Sequence, residues 1–251
     1  MRVIKVGGRV QRDPSVYAAI ARASRAGEGN LCVVHGGGDE VSSLQRLMGI
    51  EPAFVGGRRV THSDDIDVLR MGLSGASNKR IVAALQDEGI RAVGISGEDG
   101  ALIGATRIAD TQLGLVGTPK QINAGLLEVL LAAGYLPVIS PLGRSLDDGA
   151  ALNINGDDAA AAIAGALRAG ELLFVADVPG VLAEGAVIRA LSADGAEALV
   201  RQGAATGGMI AKLEAGLRAL ASGVQSVRIG AAEMLSDASV GTTITLTPSL
   251  V

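Results

Sequence analysis

The tightest constraint on this chain is the alternation of two periodicities along its length. Short runs rich in Val, Ile and Leu recur at RVIKV (2–6), LCVVH (31–35), RAVGIS (91–96), LPVIS (136–140), ELLFVAD (171–177), SVRI (226–229) and TTITL (242–246). Between them lie stretches of helical period: DPSVYAAIARASRA (13–26), EVSSLQRLM (40–48), a long SDDIDVLRMGLSGASNKRIVAALQDEG (63–89), TPKQINAGLLEVLLAAG (118–134), GDDAAAAIAGALRAG (156–170) and GGMIAKLEAGLRALASG (207–223). Parallel strands need long crossovers, and helices are the usual crossovers, so this order predicts an α/β fold built on a mostly parallel sheet. Several helical stretches open on Ser, Thr or Asp and close on Gly, which satisfy the unpaired backbone groups at helix ends. FVGGRRVT (54–61) and ALIGATRIADTQLGLVG (101–117) break the alternation and read as hairpins laid over the sheet.

Composition narrows the classes further. Hydrophobic residues make up 48% of the 251 but aromatic residues only 2%, with no Trp, so the core must be built from Ala, Val, Leu and Ile. Such a core suits helices layered on a parallel sheet and offers little for stacking on bases. A net charge of −4 argues against a nucleic-acid or membrane-surface binder, since both need a basic face. Cys32 lies inside an apolar run and reads as core; one cysteine allows no disulfide framework, so a reduced, cytoplasmic setting is expected. No apolar stretch reaches the roughly 18 residues of a spanning helix, and nothing reads as a leader segment. Of the 22 basic residues only Lys5, Lys79, Lys120 and Lys212 are lysine, which suggests that lysine persists where a compact point charge is needed.

Three strands run into glycine clusters: Gly7 and Gly8 after Lys5, Gly36 to Gly38 after His35, and Gly180 after Asp177. A strand that delivers bare backbone N–H groups toward a helix N-terminus makes an anion site at the carboxyl edge of the sheet. Glycines also occur in such turns simply because the turns need positive φ. There is no GxGxxG after a strand, no Gly-Lys dipeptide, and no His/Cys metal cluster, so the dinucleotide, P-loop and zinc signatures are absent. His35 and His62 are the only histidines, and His35 reads as packing or capping beside the glycine turn. In ALNINGDDAAAA (151–162), Asn153 and Asn155 need partners for their amides, while Asp157 at a helix start could cap the helix or orient a cation. In ATGGMIAKLEAG (205–216), Gly207 and Gly208 open a helix and place Lys212 near the same end.

Taken in order, IKVGG, VVHGGGDEV, GGRRVTHSD, GASNKRI, GYLPVIS, LNINGDDAA, VADVPGVL, TGGMIAKLEA and GTTI, spread from residue 4 to residue 244, resemble the amino acid kinase family. The resemblance implies a three-layer αβα sandwich of the amino acid kinase (carbamate kinase-like) fold. It also implies an N-terminal lobe, 1–168, for the amino-acid substrate and dimerisation, and a C-terminal lobe, 169–251, for the nucleotide. By position, Lys5 and Lys212 would touch the transferring phosphoryl group and Asp157 would hold both lysines. Gly37, Gly38, Arg59, Asn153 and Asn155 would bind substrate, with Arg59 on its α-carboxylate and Asn153 at its acetamido group. Gly7, Gly8, Asp177, Gly180, Gly207 and Gly208 would line the nucleotide site. ATP is the implied phosphoryl donor, with Mg²⁺ held mainly by the nucleotide and no metal ligands of the protein's own. Arg9 reads as an ordinary surface residue.

Within the family the branch that phosphorylates N-acetyl-L-glutamate fits best, and a carboxylate nucleophile already ionised at neutral pH needs no general base, in keeping with so few histidines. The kinase of carrier-protein-linked α-aminoadipate shares IKVGGR, HGGGD, a MGIEPAFV-like stretch and a GEDG-like turn; GGRRVTHSD favours the acetylglutamate branch. A non-catalytic nucleotide-binding protein of the same fold would have lost the charge set, which is intact. Because the first strand begins at about residue 2, the resemblance implies a homodimer insensitive to arginine, without the N-terminal helix that builds arginine-inhibited hexamers in the family.

Overall fold

The computed structural model describes residues 1–26, 30–183 and 185–246. The first half of the chain runs β1 (Arg2–Val6), α1 (Pro14–Ala26), β2 (Leu31–His35), α2 (Gly38–Leu47), β3 (Phe54–Val55), β4 (Arg58–Arg59) and α3 (Asp65–Leu69), then α4 (Asn78–Asp87), β5 (Ala92–Ser96), β6 (Ile103–Arg107), β7 (Val116–Ile122) and α5 (Ala124–Ala132). The second half continues with β8 (Leu136–Ser140), β9 (Leu142–Ser145), β10 (Ala151–Ile154), α6 (Gly156–Ala166), β11 (Glu171–Val175), β12 (Leu182–Ala183), β13 (Ala186–Val187) and β14 (Ala190–Ser192), followed by α7 (Ala193–Arg201), α8 (Gly208–Ala221), β15 (Ser226–Gly230) and β16 (Thr242–Thr245). A π-helical stretch, Arg70–Ser77, joins α3 to α4, so the long helical pattern at 63–89 forms one continuous helical run from Asp65 to Asp87.

Eight strands pair in the order β14-β16-β15-β11-β1-β2-β8-β5, all parallel except β15 against β16. Alternation along each central strand divides its side chains between two cores. Val3, Cys32, Val34, Leu172 and Phe174 face Ala159, Ile163 and Leu213 of α6 and α8. Ile4, Val6, Val33, Leu173 and Val175 face Val16, Ile20, Ile81 and Leu85 of α1 and α4. This is the three-layer sandwich. Each fully buried Leu, Ile or Phe contributes roughly 1.5–3 kcal/mol, so layers of this size dominate the stability even with few aromatics. Cys32 is buried and free, with burial pushing its thiol up to about 12, as an inert core residue requires.

All of the expected strand runs form strands, and both expected hairpins are present, β3 with β4 and β6 with β7, each antiparallel. The helix expected over 118–134 is corrected: Val116–Ile122 is strand and the helix begins at Ala124. Thr118-Pro119 mimics a helix start, but Pro119 lies opposite Ala105 at a register shift in β6, where a strand tolerates a residue without an N–H. Three features were not anticipated: a small closed barrel of β10, β7, β6 and β9, the helix α7, and the hairpin of β12 and β13. The sheet is continuous through the β1–β11 pairing, so strands from either side of residue 168 are hydrogen-bonded to each other.

Candidate active site

The register of the central strands determines what meets at the sheet edge. Val6 of β1 pairs with His35 of β2 and with Val175 of β11, so the three glycine-bearing turns leave the sheet at one level. The ladder continues into them, with Gly7 N–H donating to the Val175 carbonyl (3.0 Å) and Gly36 N–H to that of Val6 (3.1 Å). The first two turns face each other: a Cβ placed on Gly8 would lie 3.9 Å from the Gly37 nitrogen and 4.0 Å from that of Gly38. Gly37 has φ +156°, and a Cβ there would come within 2.6 Å of Leu73 Cδ2 and 2.9 Å of Ser77 Oγ, so only glycine fits.

Lys5 shares the pleat of Val3 and therefore points to the α6–α8 face. Its Nζ lies 2.7 Å from Asp157 Oδ1, and Lys212 Nζ of α8 lies 3.4 Å from Asp157 Oδ2. Asp157 is buried, 5% exposed. Burial alone would raise its pKa; the attraction of Lys5 and Lys212 outweighs that and holds the carboxyl below the usual aspartate range. Lys212 is shifted down, first by burial and also by Lys5, against the pull of Asp157. The group is a charge triad with one more positive charge than negative, poised for an anion.

The helix cap falls to Asn155, whose Oδ1 accepts from the Asp157 and Asp158 N–H groups (2.8 and 3.3 Å), leaving Asp157 free to orient the lysines. Gly156 makes room for the first of them, since a Cβ there would lie 3.3 Å from Lys5 Cε.

Two cavities flank the triad. The larger, about 470 Å³, is lined by Lys5, Gly7, Gly8, Asp177, Gly180 and Lys212, among others; Gly208 also borders it, with apolar walls from Val181, Leu199 and Met209. The smaller, about 210 Å³, is lined by all five expected substrate residues, Gly37, Gly38, Arg59, Asn153 and Asn155. Gly207 borders neither and serves as the residue before α8, with φ +52°. Arg59 is buried; its Nη2 donates to the Gly38 carbonyl (2.8 Å) and Ser42 Oγ (2.7 Å), its Nη1 to Gln45 Oε1, and the Phe54 ring lies 4.8 Å away. Asn153 donates to Thr61 Oγ1 (2.9 Å), which ties β10 to the segment after the hairpin.

Arg9 requires correction. It lines the larger cavity and pairs with Asp177 at 3.0 Å, which holds that carboxyl below its ordinary range, so it belongs to the rim of the site. Asn78, inside GASNKRI, is a further residue of the site that was not among the expected ones. Its Nδ2 donates to His35 Nε2 (3.1 Å) and to the Val138 carbonyl (2.9 Å), while His35 Nδ1–H donates to the Gly36 carbonyl (2.6 Å). Full burial pushes His35 down to about 4, so the ring is neutral and braces the glycine turn, as its position suggested. A buried Asn in a helix, four residues before a Val-Ala-Ala run, was the available signal.

Both lysines line the larger cavity, and the smaller adjoins them through Gly156, which packs against Lys5; two ligand spaces so placed suit transfer of a phosphoryl group from one ligand to the other, and a phosphotransferase is the class that this geometry defines. The chain belongs to the amino acid kinase family, whose profile matches residues 1–231. It is 44% identical over 239 residues to the acetylglutamate kinase of Methanopyrus kandleri, covering 91% of this chain and 94% of that one. Among solved structures, smu.665 from Streptococcus mutans superposes with a TM-score of 0.87 at 29% identity, with 98% of each chain covered. A carbamate kinase from Giardia lamblia bound to AMP-PNP superposes with a TM-score of 0.76 at 16% identity, again over 98% of each chain, and so shares the fold.

Proposed function

We propose that this protein transfers the γ-phosphoryl group of ATP to the γ-carboxylate of N-acetyl-L-glutamate, forming an acyl phosphate in arginine biosynthesis, in the cytoplasm. The observation that carries this reading is the cavity of about 210 Å³ beside the lysine pair, which brings together a buried arginine, an asparagine amide and two glycine turns. A space of that size suits a small acylated dicarboxylate, and the 44% identical relative is named for that substrate. Arg59 would hold the α-carboxylate and Asn153 the acetamido group, with Asn155 at the floor. The γ-carboxylate would face the larger cavity, where Gly8 and Gly208 would offer backbone N–H groups to phosphates, Gly7, whose N–H is taken by the Val175 carbonyl, would leave clearance for them, and Asp177 and Gly180 would border the nucleotide.

Lys5 and Lys212 would neutralise charge that builds on the transferring group, and Asp157 would keep both ammonium groups in place as it moves. Among the described residues no group of three or more His, Cys, Asp or Glu gathers, and Asp157 is committed to the lysines. Mg²⁺ would therefore ride on the nucleotide phosphates and water, where it supplies further charge neutralisation. Residues 1–168 would form the acceptor lobe and 169–251 the nucleotide lobe. A homodimer is the favoured assembly, supported by α5, which packs on β8 beside the edge strand β5 and leaves Val129 67% exposed.

The test measures ADP release with N-acetylglutamate, glutamate, aspartate and carrier-linked aminoadipate, trapping acyl phosphate with hydroxylamine. Hydroxamate formed fastest from N-acetylglutamate is the expected outcome. Preference for the carrier-linked acceptor would replace the substrate assignment, and no turnover with any carboxylate would end the kinase reading.

A further inference from the structure

The first turn of α6 carries two consecutive buried carboxylates, and the reaction described above uses only one. Asp158, 7% exposed, accepts from Arg58 Nη2 through Oδ2 (2.9 Å) and from Arg218 Nη2 through Oδ1. Arg58 neighbours Arg59 in β4 and lines the smaller cavity. Arg218 lies on α8, the helix that carries Lys212, and borders neither cavity. Asp157 and Asp158 thus act as paired tie points: one joins β1 to α8 through the lysines, the other joins the β3–β4 hairpin to the same helix through the arginines.

The hairpin has only two residues in each strand and an exposed Phe54, so it has little packing to fix its own position. Side-chain anchors must do so. Arg59 fastens it toward α2 through Gly38, Ser42 and Gln45; Arg58 fastens it toward α6 and, across Asp158, toward α8. A carboxylate has two oxygens, and each oxygen of Asp158 accepts one N–H from a different guanidinium, so the one side chain serves both arginines. Any displacement of α8 would then be passed through two charge-assisted contacts to the hairpin that borders the acceptor cavity.

We propose that Asp158 is a positioning residue that couples the acceptor hairpin to the Lys212 helix, so that filling the nucleotide cavity tightens the acceptor site. The inference rests on the kinase reading for the identity of the acceptor, but not for the mechanical link. Its test uses Arg218→Gln, Arg58→Gln and the double variant; the altered side chains are partly exposed, and Asp158→Asn serves as a third, near-isosteric probe. Calorimetry would measure N-acetylglutamate affinity with and without AMP-PNP, beside steady-state constants for both substrates.

In the unaltered protein AMP-PNP is expected to tighten acceptor binding. Arg218→Gln should raise the acceptor KM roughly fivefold, with a smaller change in the ATP KM, and bring the coupling factor close to one. The double variant should be no worse than Arg58→Gln alone, because both act on one link. Acceptor affinity and coupling within about twofold of the unaltered protein, or effects of the two single variants that multiply, would overturn the proposal. Amide exchange across Phe54–Arg59 separates this result from the substrate assignment. Faster hairpin exchange in Arg218→Gln, in a protein that turns over an acceptor other than N-acetylglutamate, would uphold the link and discard that acceptor; unchanged exchange would discard the link.

Discussion

Replacing Asp157 with asparagine is the sharpest perturbation of the proposed chemistry. The carboxylate lies 2.7 Å from one ammonium and 3.4 Å from the other. At an effective dielectric near 20 these contacts amount to about 6 and about 5 kcal/mol of gross attraction. Most of that is offset by the desolvation of three largely buried charges, so the fold does not gain the sum. What the substitution removes from catalysis is the placement of two positive charges against the migrating phosphoryl group. The loss of one preorganised electrostatic contact costs about 3–4 kcal/mol at a transition state, or roughly 10² to 10³ in kcat. The near-isosteric amide would still fit beside the Asn155 cap, so KM values for ATP and acceptor should change far less than kcat.

A second signature concerns pH. Burial and Lys5 already depress Lys212, and Asp157 is the group that opposes them. With that carboxylate gone, Lys212 loses its proton at lower pH, and the alkaline limb of the kcat profile moves toward neutrality. Steady-state kinetics of Asp157→Asn across pH measure both effects. A kcat within about tenfold of the unaltered enzyme, with an unmoved alkaline limb, would refute the claim that Asp157 organises the lysines.

Other perturbations report on separate parts of the site. Lys212→Ala should lower kcat by orders of magnitude more than it weakens ATP or acceptor binding in equilibrium titrations; a change confined to KM would leave Lys212 a binding residue only. Gly37→Ala should destabilise the fold by about 1–3 kcal/mol in urea and raise the acceptor KM, because its methyl group would press on Leu73 and Ser77 at a φ that alanine avoids. His35 has a folded pKa near 4 against an ordinary 6.5, so the unfolded chain binds the extra proton between those values and stability falls as pH drops through that window. Denaturant titrations near pH 6.5 and near pH 5 should differ by about 1.5 kcal/mol from this residue, and His35→Gln should remove that part of the difference.

The central sheet was legible because each strand is a short apolar run bounded by turn residues, and because parallel pairing makes those runs apolar on both faces. Lys5 was legible as an anomaly within such a run, and the glycine turns as the means of bringing backbone N–H groups to an edge. The barrel made by Leu142–Ser145 and Ala151–Ile154 was not, because these strands are short, Gly- or Asn-containing, and closed by pairing with β6 and β7 from before the α5–β8 crossover as well as with each other. The same reason hides the arginines. Arg58 is 100 residues from Asp158, Arg218 is 60 from it, and Arg9 is 168 from Asp177, so no local spacing marks any of these pairs. In the sequence Asp157 reads as the residue at the helix start and Asn155 as an amide in need of a partner, yet the cap falls to Asn155 because Asp157 is taken by the lysines, and only the folded arrangement assigns it.

The parity of β1 sets a limit on how this enzyme can change. Lys5 faces Asp157 because it shares a pleat with Val3, while Ile4 and Val6 face the opposite helices. Deleting one residue from this strand would turn the ammonium under Ile20 and Ile81 and present an isoleucine to the carboxylate. Substitutions among Val, Ile and Leu at the other positions keep that parity and should be tolerated, whereas any change of length should not. The strand therefore acts as a counting device: the chemistry at its end depends on an exact number of residues more than on which apolar ones they are.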